Sequence, residues 1–228
     1  MRTTGGVIDG YVTELGRVLT GPRGPKLDLV AEARDNLLDA AEALECDGLG
    51  RDEAERAAVE EFGAIDEVAP GFQEELSVLA GRRLAGLLFV SVPLVTLMWS
   101  LIWRIFPTGP AVYATWPGWF LPVSRSLDAL QFLVGALGGA ALFALGRGLR
   151  RIHRPRRVVR SLALLVWCTL PVRVALSLAL IHGSHGPPGF YAYLPGIAAA
   201  LVTHGVTFAH LYCAARCLGV TRRPPAPA

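Results

Sequence analysis

The chain has 228 residues, 52% hydrophobic and 18% charged, with a mean hydropathy of +0.42. Those values point away from an ordinary soluble domain and toward a membrane protein. The net charge of +3 hides two regions of opposite sign: residues 1–80 hold 18 Asp and Glu against 7 Lys and Arg, whereas residues 81–228 hold one acid, Asp128, against 15 Arg.

The acidic region reads as helices. Its start, "MRTTGGVIDGYVTEL", has no apolar signal region, so the N-terminus is expected to stay in the cytoplasm and the first hydrophobic span to act as the signal. Residues 7–20 and 26–46, separated by "GPRGP", form two helical segments. In the second, Leu27, Val30, Leu37, Leu38, Ala41 and Leu44 recur at the three-to-four spacing of an amphipathic face. A third helix, "RDEAERAAVEEF", has Gly50 as N-cap, Glu53 at its third position, Gly63 as its stop, and Ala54, Ala57, Ala58 and Phe62 on its inner face. A fourth segment, "IDEVAPGFQEELSVLAG", is expected to break at Pro70. The acids read as solvated helix faces.

Four apolar runs follow, giving spans at about 84–106, 128–149, 160–182 and 194–217. Each is near the ~20 residues needed to cross ~30 Å of hydrocarbon as a helix. Between them, "PTGPAVYATWPGWFLPVS" holds the rings of an interfacial aromatic belt, Tyr113, Trp116, Trp119 and Phe120. The basic run at 146–160 carries Arg147, Arg150, Arg151, Arg154, Arg156, Arg157 and Arg160 with no acid. Together with Arg82, Arg83, Arg216, Arg222 and Arg223, it places both termini in the cytoplasm by the positive-inside rule. The run is first a topology determinant. It also offers anionic lipid headgroups about 1 kcal/mol per Arg. Direct nucleic-acid binding is not expected, because the loop is tied to the bilayer and has no recognition helix. The −11 region beside so basic a loop suggests an electrostatic docking of one on the other.

Polar residues within spans are functional candidates by default. These are Arg173, two residues after Pro171, Asp128 at the end of the second span, His204 and His210. Arg173 can pair with Asp128 between the second and third spans, the alternative being that it meets backbone carbonyls and water. His210, Cys213 and Cys217 share one helix face, and three ligands on one helix suit a metal poorly, so packing is their expected role. His182 and His185 stand in a loop where they can bind metal or sense acidity. Gly135 and Gly139 have the GxxxG spacing of a helix-packing face. The four cysteines do not form a secreted disulfide pattern and are read as reduced. The chain has no P-loop, HExxH or GxSxG, so no enzyme activity, metal or cofactor is expected.

The expected fold class is therefore all-α: a small cytoplasmic helical domain, 1–80, followed by a four-helix transmembrane bundle, 81–228. Three stretches of the first domain carry a family likeness. These are the "LLDAAE" turn with Leu38 and Glu42, the "GLGRDEA" start of the third helix with Glu53, and the "AVEEFGAIDEVA" exit with Phe62 and Gly63. In them residues 25–76 resemble the permease prefix domain and the related HAAS helical domain of bacterial membrane proteins. That resemblance implies a partner-binding face around Leu38, Glu42, Glu53, Phe62 and Gly63, and a cytoplasmic protein partner such as a PadR-like regulator. The chain departs from the family in having Gly50 where a Ser or Thr cap is usual. It also lacks the large extracytoplasmic domain of the exporter-like permeases, so their activity is not implied. The expected role is a membrane-anchored signalling or regulatory protein of a bacterial inner membrane. The alternative is a subunit of a transporter, for which Arg173, His204 and prolines at 93 and 171 are the features in favour.

Overall fold

A computed structural model of the chain describes residues 6–105, 117–146, 155–183 and 194–221. Among these, every regular element is α-helix: α1 (Val7–Val18), α2 (Arg23–Cys46), α3 (Arg51–Phe62), α4 (Ile65–Ile105), α5 (Phe120–Gly146), α6 (Pro155–Gly183) and α7 (Leu194–Val220). They form two units, one of residues 1–80 with 218–228, the other of residues 81–217.

The first unit is organised by an apolar row on each helix. On α1 the row is Ile8, Val12 and Leu15, continued by Leu19; on α2 it is Leu29, Ala33, Leu37 and Ala41; on α3 it is Ala54 and Ala58. These rows close two clusters. Ile8, Val12, Leu37, Ala41, Ala54 and Ala58 make the first; Leu15, Leu19, Leu29 and Ala33 meet Ala69, Leu76 and Val220 in the second. Tyr11 and Phe62 touch both, with their rings 5.9 Å apart and edge to face at 85°. Alanines on α3 let it come close to α2, while the charges stay outside. Arg34 and Asp9 join α1 to α2 at 2.9 Å, and because both are about half exposed the bridge contributes well under ~1 kcal/mol.

Several expectations for this unit are corrected. The buried row of α2 is the i, i+4 series from Leu29, so Leu27 is 64% exposed and Leu38 37% exposed. Spacing alone admits overlapping stripes, and α1 and α3 pack on the narrower one. The helix also starts at Arg23 rather than residue 26, because Pro25 falls at its third position, where a missing N–H costs nothing. Pro70 does not break the fourth segment: α4 runs on through it. The proline lies in the second turn, and the carbonyl deprived of its N–H belongs to exposed Asp66, where water can serve it. Gly50 and Gly63 do cap α3, Gly63 at φ 102°, a region glycine enters without strain.

Four helices are long and apolar enough to cross a membrane, which makes this a multi-pass membrane protein. Their outward residues are of the kind that lipid suits. Phe132 is 78% exposed, Phe208 72%, Leu201 69% and Phe143 65%, a surface that water would penalise and lipid does not. The spans keep their course through proline: α4 continues past Pro93 and α6 past Pro171, with no unwound segment among the described residues. α5 begins at Phe120, earlier than expected, since Pro122 occupies its third position.

Within the second unit α4 touches the other three helices. Gly138 of α5 lies so close that an added Cβ would stand 2.8 Å from Leu88 Cβ and 3.2 Å from the Ala85 carbonyl oxygen. Gly135 meets Val92, and Gly139 meets the Phe89 ring. Gly81 of α4 is covered by Val159 and Leu145. Toward α7, Ser91 pairs with His210 and Trp99 with Thr203. The order of these pairs along the two helices, rising on one and falling on the other, makes α4 and α7 antiparallel.

Candidate functional site

Polar groups gather where α4 meets α7 inside the membrane segment. Ser91 is 8% exposed and His210 2%, and Ser91 Oγ stands 2.8 Å from His210 Nε2. The serine has a single hydroxyl proton, and it is directed to the Leu87 carbonyl, one turn back on α4. Ser91 therefore accepts from His210 Nε2–H, which fixes the neutral tautomer and leaves Nδ1 as the bare lone pair. That nitrogen is buried without a hydrogen-bond partner. Serine and histidine are the residue types of a nucleophile and its base, yet here the proton runs from histidine to serine to carbonyl. The pair acts as a structural strap between helices.

A second strap lies about two turns along. Trp99 Nε1–H donates to Thr203 Oγ1 at 3.0 Å, while Thr203 donates to the Ala199 carbonyl at 2.8 Å. In each strap a hydroxyl passes the bond to its own helix backbone, so no polar group is left facing lipid. Together the two straps fix both the register and the rotation of α7 on α4.

Arg173, on α6, is half-buried and has no hydrogen bond or ion pair among the described residues. The Arg173–Asp128 pair is not made: Asp128 is exposed on α5, and no bridge joins it to Arg173. Sign of charge suggested the partnership, but the α5 face that carries Asp128 is turned outward. His204 also faces out; its Nδ1–H donates to the Ala200 carbonyl at 2.6 Å. So of the four intramembrane candidates only His210 takes part in a hydrogen bond between helices. Cys217 is buried and Cys213 half-buried on the same helix as His210, and no three potential ligands converge on a metal position among the described residues.

The basic run falls largely outside the described residues, which exclude Arg147, Arg150, Arg151 and Arg154, as they do His185, Tyr113 and Trp116. Of its remainder, Arg157 and Arg160 are exposed on the first turns of α6 and Arg156 is half-buried. Arg216, exposed near the end of α7, lays its guanidinium 5.2 Å above the Tyr212 ring and donates to the Tyr212 hydroxyl at 2.7 Å.

In the first unit Leu38 and Glu42 stand one turn apart and exposed on α2, and Glu53 is exposed on the first turn of α3. Phe62 and Gly63 are used internally: Phe62 packs on both clusters, and the Gly63 carbonyl accepts the Tyr11 hydroxyl at 2.9 Å. Burial lifts the Tyr11 phenol above its ordinary value of 10.0. Sequence reasoning missed Ser91, Trp99 and Thr203; their i, i+8 and i, i+7 spacing with His210 and one another was the only signal, and hydroxyls in apolar runs are common. Comparison of the chain with family models, with curated proteins and with solved structures gives no match.

Proposed function

We propose that this protein is a membrane-anchored regulatory protein, in which the acidic helical unit binds a cytoplasmic protein partner and the four spans hold it at the bilayer. The observation that carries this reading is the division of labour in the first unit. Its apolar side chains are spent on two internal clusters, whereas Asp28, Glu32, Asp35, Asp39, Glu42 and Glu45 line the exposed side of α2 around Leu38. A rigid helix face of alternating acids with an exposed leucine suits a partner that presents a basic surface and a small apolar recess. The likeness of residues 25–76 to permease prefix and HAAS domains supports the same role, with a PadR-like regulator as the kind of partner.

The antiparallel course of the first and fourth spans supports both chain ends lying on one side of the membrane, and the excess of arginine there supports the cytoplasmic side of a bacterial inner membrane. Continuous spans weigh against transport, which favours broken helices around a midplane site. The test is copurification in mild detergent from native membranes after crosslinking, comparing the full chain with an Asp35→Asn, Asp39→Asn, Glu42→Gln variant. Recovery of a soluble regulator with the native chain, lost with the variant, is the expected result. An ATPase or permease recovered equally with both would transfer the protein to the transport class.

A further inference from the structure

Gln73 sits in the acid-rich stretch "GFQEEL", yet it is 2% exposed and uses every hydrogen-bonding position that it has. Its Oε1 accepts the Thr20 backbone N–H at 2.9 Å and the Thr20 hydroxyl at 3.3 Å. Its Nε2 donates to the Thr20 carbonyl at 2.8 Å and to the Val220 carbonyl at 3.0 Å. One side chain thus ties the α1–α2 turn, the first part of α4 and the last turn of α7. Ser77, one turn on and fully buried, donates to the Gln73 carbonyl at 2.8 Å and lies 3.4 Å from the Val220 carbonyl oxygen.

The reason lies in the end of α7. A helix leaves its last carbonyls without intrahelical donors, and at an exposed end water serves them. Val220 is 3% exposed and its side chain belongs to the second cluster, with Leu19, Leu29 and Leu76. Its carbonyl is therefore out of reach of water and needs a protein donor. Gln73 supplies one only by giving its remaining groups to Thr20. The α1–α2 turn is in this way held by the same amide that receives the end of the fourth span. The attachment is narrow: one valine side chain in the cluster and one carbonyl, which accepts from Gln73 Nε2 at 3.0 Å and more distantly from Ser77 Oγ at 3.4 Å, contributed by a segment more than 140 positions further along the chain.

We propose that Gln73 and the last turn of α7 form a latch, through which the position of the fourth span decides whether the acidic unit is closed or open. When Val220 is in place, the second cluster is complete and Thr20 is held. When the turn withdraws, Gln73 loses a partner, Thr20 is released, and α1 with Leu15 and Leu19 can lift from α2. The inference rests on the regulatory reading for its purpose, but its physical content is separate from any partner.

The experiment is hydrogen exchange at the Thr20 amide, in the full chain reconstituted in lipid nanodiscs and with no partner present. Gln73→Leu keeps a side chain of similar size and removes all four bonds; it is expected to speed exchange at Thr20 roughly tenfold, while amides at 54–62 of α3 keep their native rates. His210→Ala, which undoes a strap between α4 and α7 far from Thr20 in sequence, is expected to speed Thr20 exchange in the native background and to add nothing in the Gln73→Leu background. If Gln73→Leu does not accumulate, Val220→Ala, which leaves Gln73 intact, is read in the same way. Thr20 exchange unchanged in either latch variant, or unmoved by His210→Ala, would overturn the latch. A null result in copurification would instead sink the partner and leave the latch standing.

Discussion

Two side chains show how single polar atoms are placed in this fold. Tyr11 spans both clusters of the first unit and donates to the Gly63 carbonyl, so the phenol ties α1 to the turn after α3. Its proton is held more firmly in the folded state than in the unfolded chain, because burial raises its pKa. The stabilisation is then complete below the unfolded value near 10 and falls as pH rises through the folded value. Alkaline titration of thermal stability should show this loss above about pH 10, and Tyr11→Phe should be less stable at neutral pH by about 1 kcal/mol while lacking that part of the alkaline loss. In the membrane, Ser91→Ala removes the hydroxyl that pairs with His210 Nε2, on a ring whose other nitrogen is already buried without a partner. Loss of about 1 kcal/mol in a reversible detergent unfolding assay is expected, within the range measured for interhelical bonds in lipid. A Ser91→Ala protein as stable as the native one would mean that the strap carries no energy.

At the scale of elements, what matters is which face of each helix is turned inward. Gly138 of α5 faces the backbone of α4, with atoms of Ala85 and Phe89 at 3.2 and 3.3 Å from an added Cβ. Backbone cannot move aside as a side-chain tip can. Gly138→Ala is expected to destabilise the second unit by about 1–3 kcal/mol, whereas Gly146→Ala, with nothing within 4 Å of an added Cβ among the described residues, should be neutral or slightly stabilising; thermal unfolding of both variants measures the contrast. The GxxxG spacing made Gly135 and Gly139 legible as packing residues but could not show that Gly138 takes the backbone contact, because that depends on the rotation of α5 about its axis. The same limit applies to α2. Its helical period was plain, yet the choice between the row from Leu27 and the row from Leu29 was made by α1 and α3. Ends were easier to read where glycine marks them: Gly50 and Gly63 bound α3 as the sequence indicates, since a positive φ at Gly63 is a local requirement.

For the whole molecule, length and hydropathy of four runs sufficed to identify the spans, because crossing a bilayer is set by composition over ~20 residues and not by contacts. Contacts between distant parts of the chain left no such mark. Nothing near Gln73 announces Val220, and nothing in the charge pattern shows that Asp128 turns away from Arg173. The functional reading has one premise at this scale: the acidic unit must stand in the cytoplasm. The protein carries its own probe for that, since Cys46 is exposed at the end of α2, while Cys168, Cys213 and Cys217 all lie within span helices. The decisive measurement is labelling of Cys46 in the native chain by a membrane-impermeant maleimide, in right-side-out and in inverted inner-membrane vesicles, with the modified residue identified by mass spectrometry. Modification of Cys46 in inverted vesicles alone is the predicted result. Modification in right-side-out vesicles would put the acidic unit outside and contradict a role in binding a cytoplasmic partner.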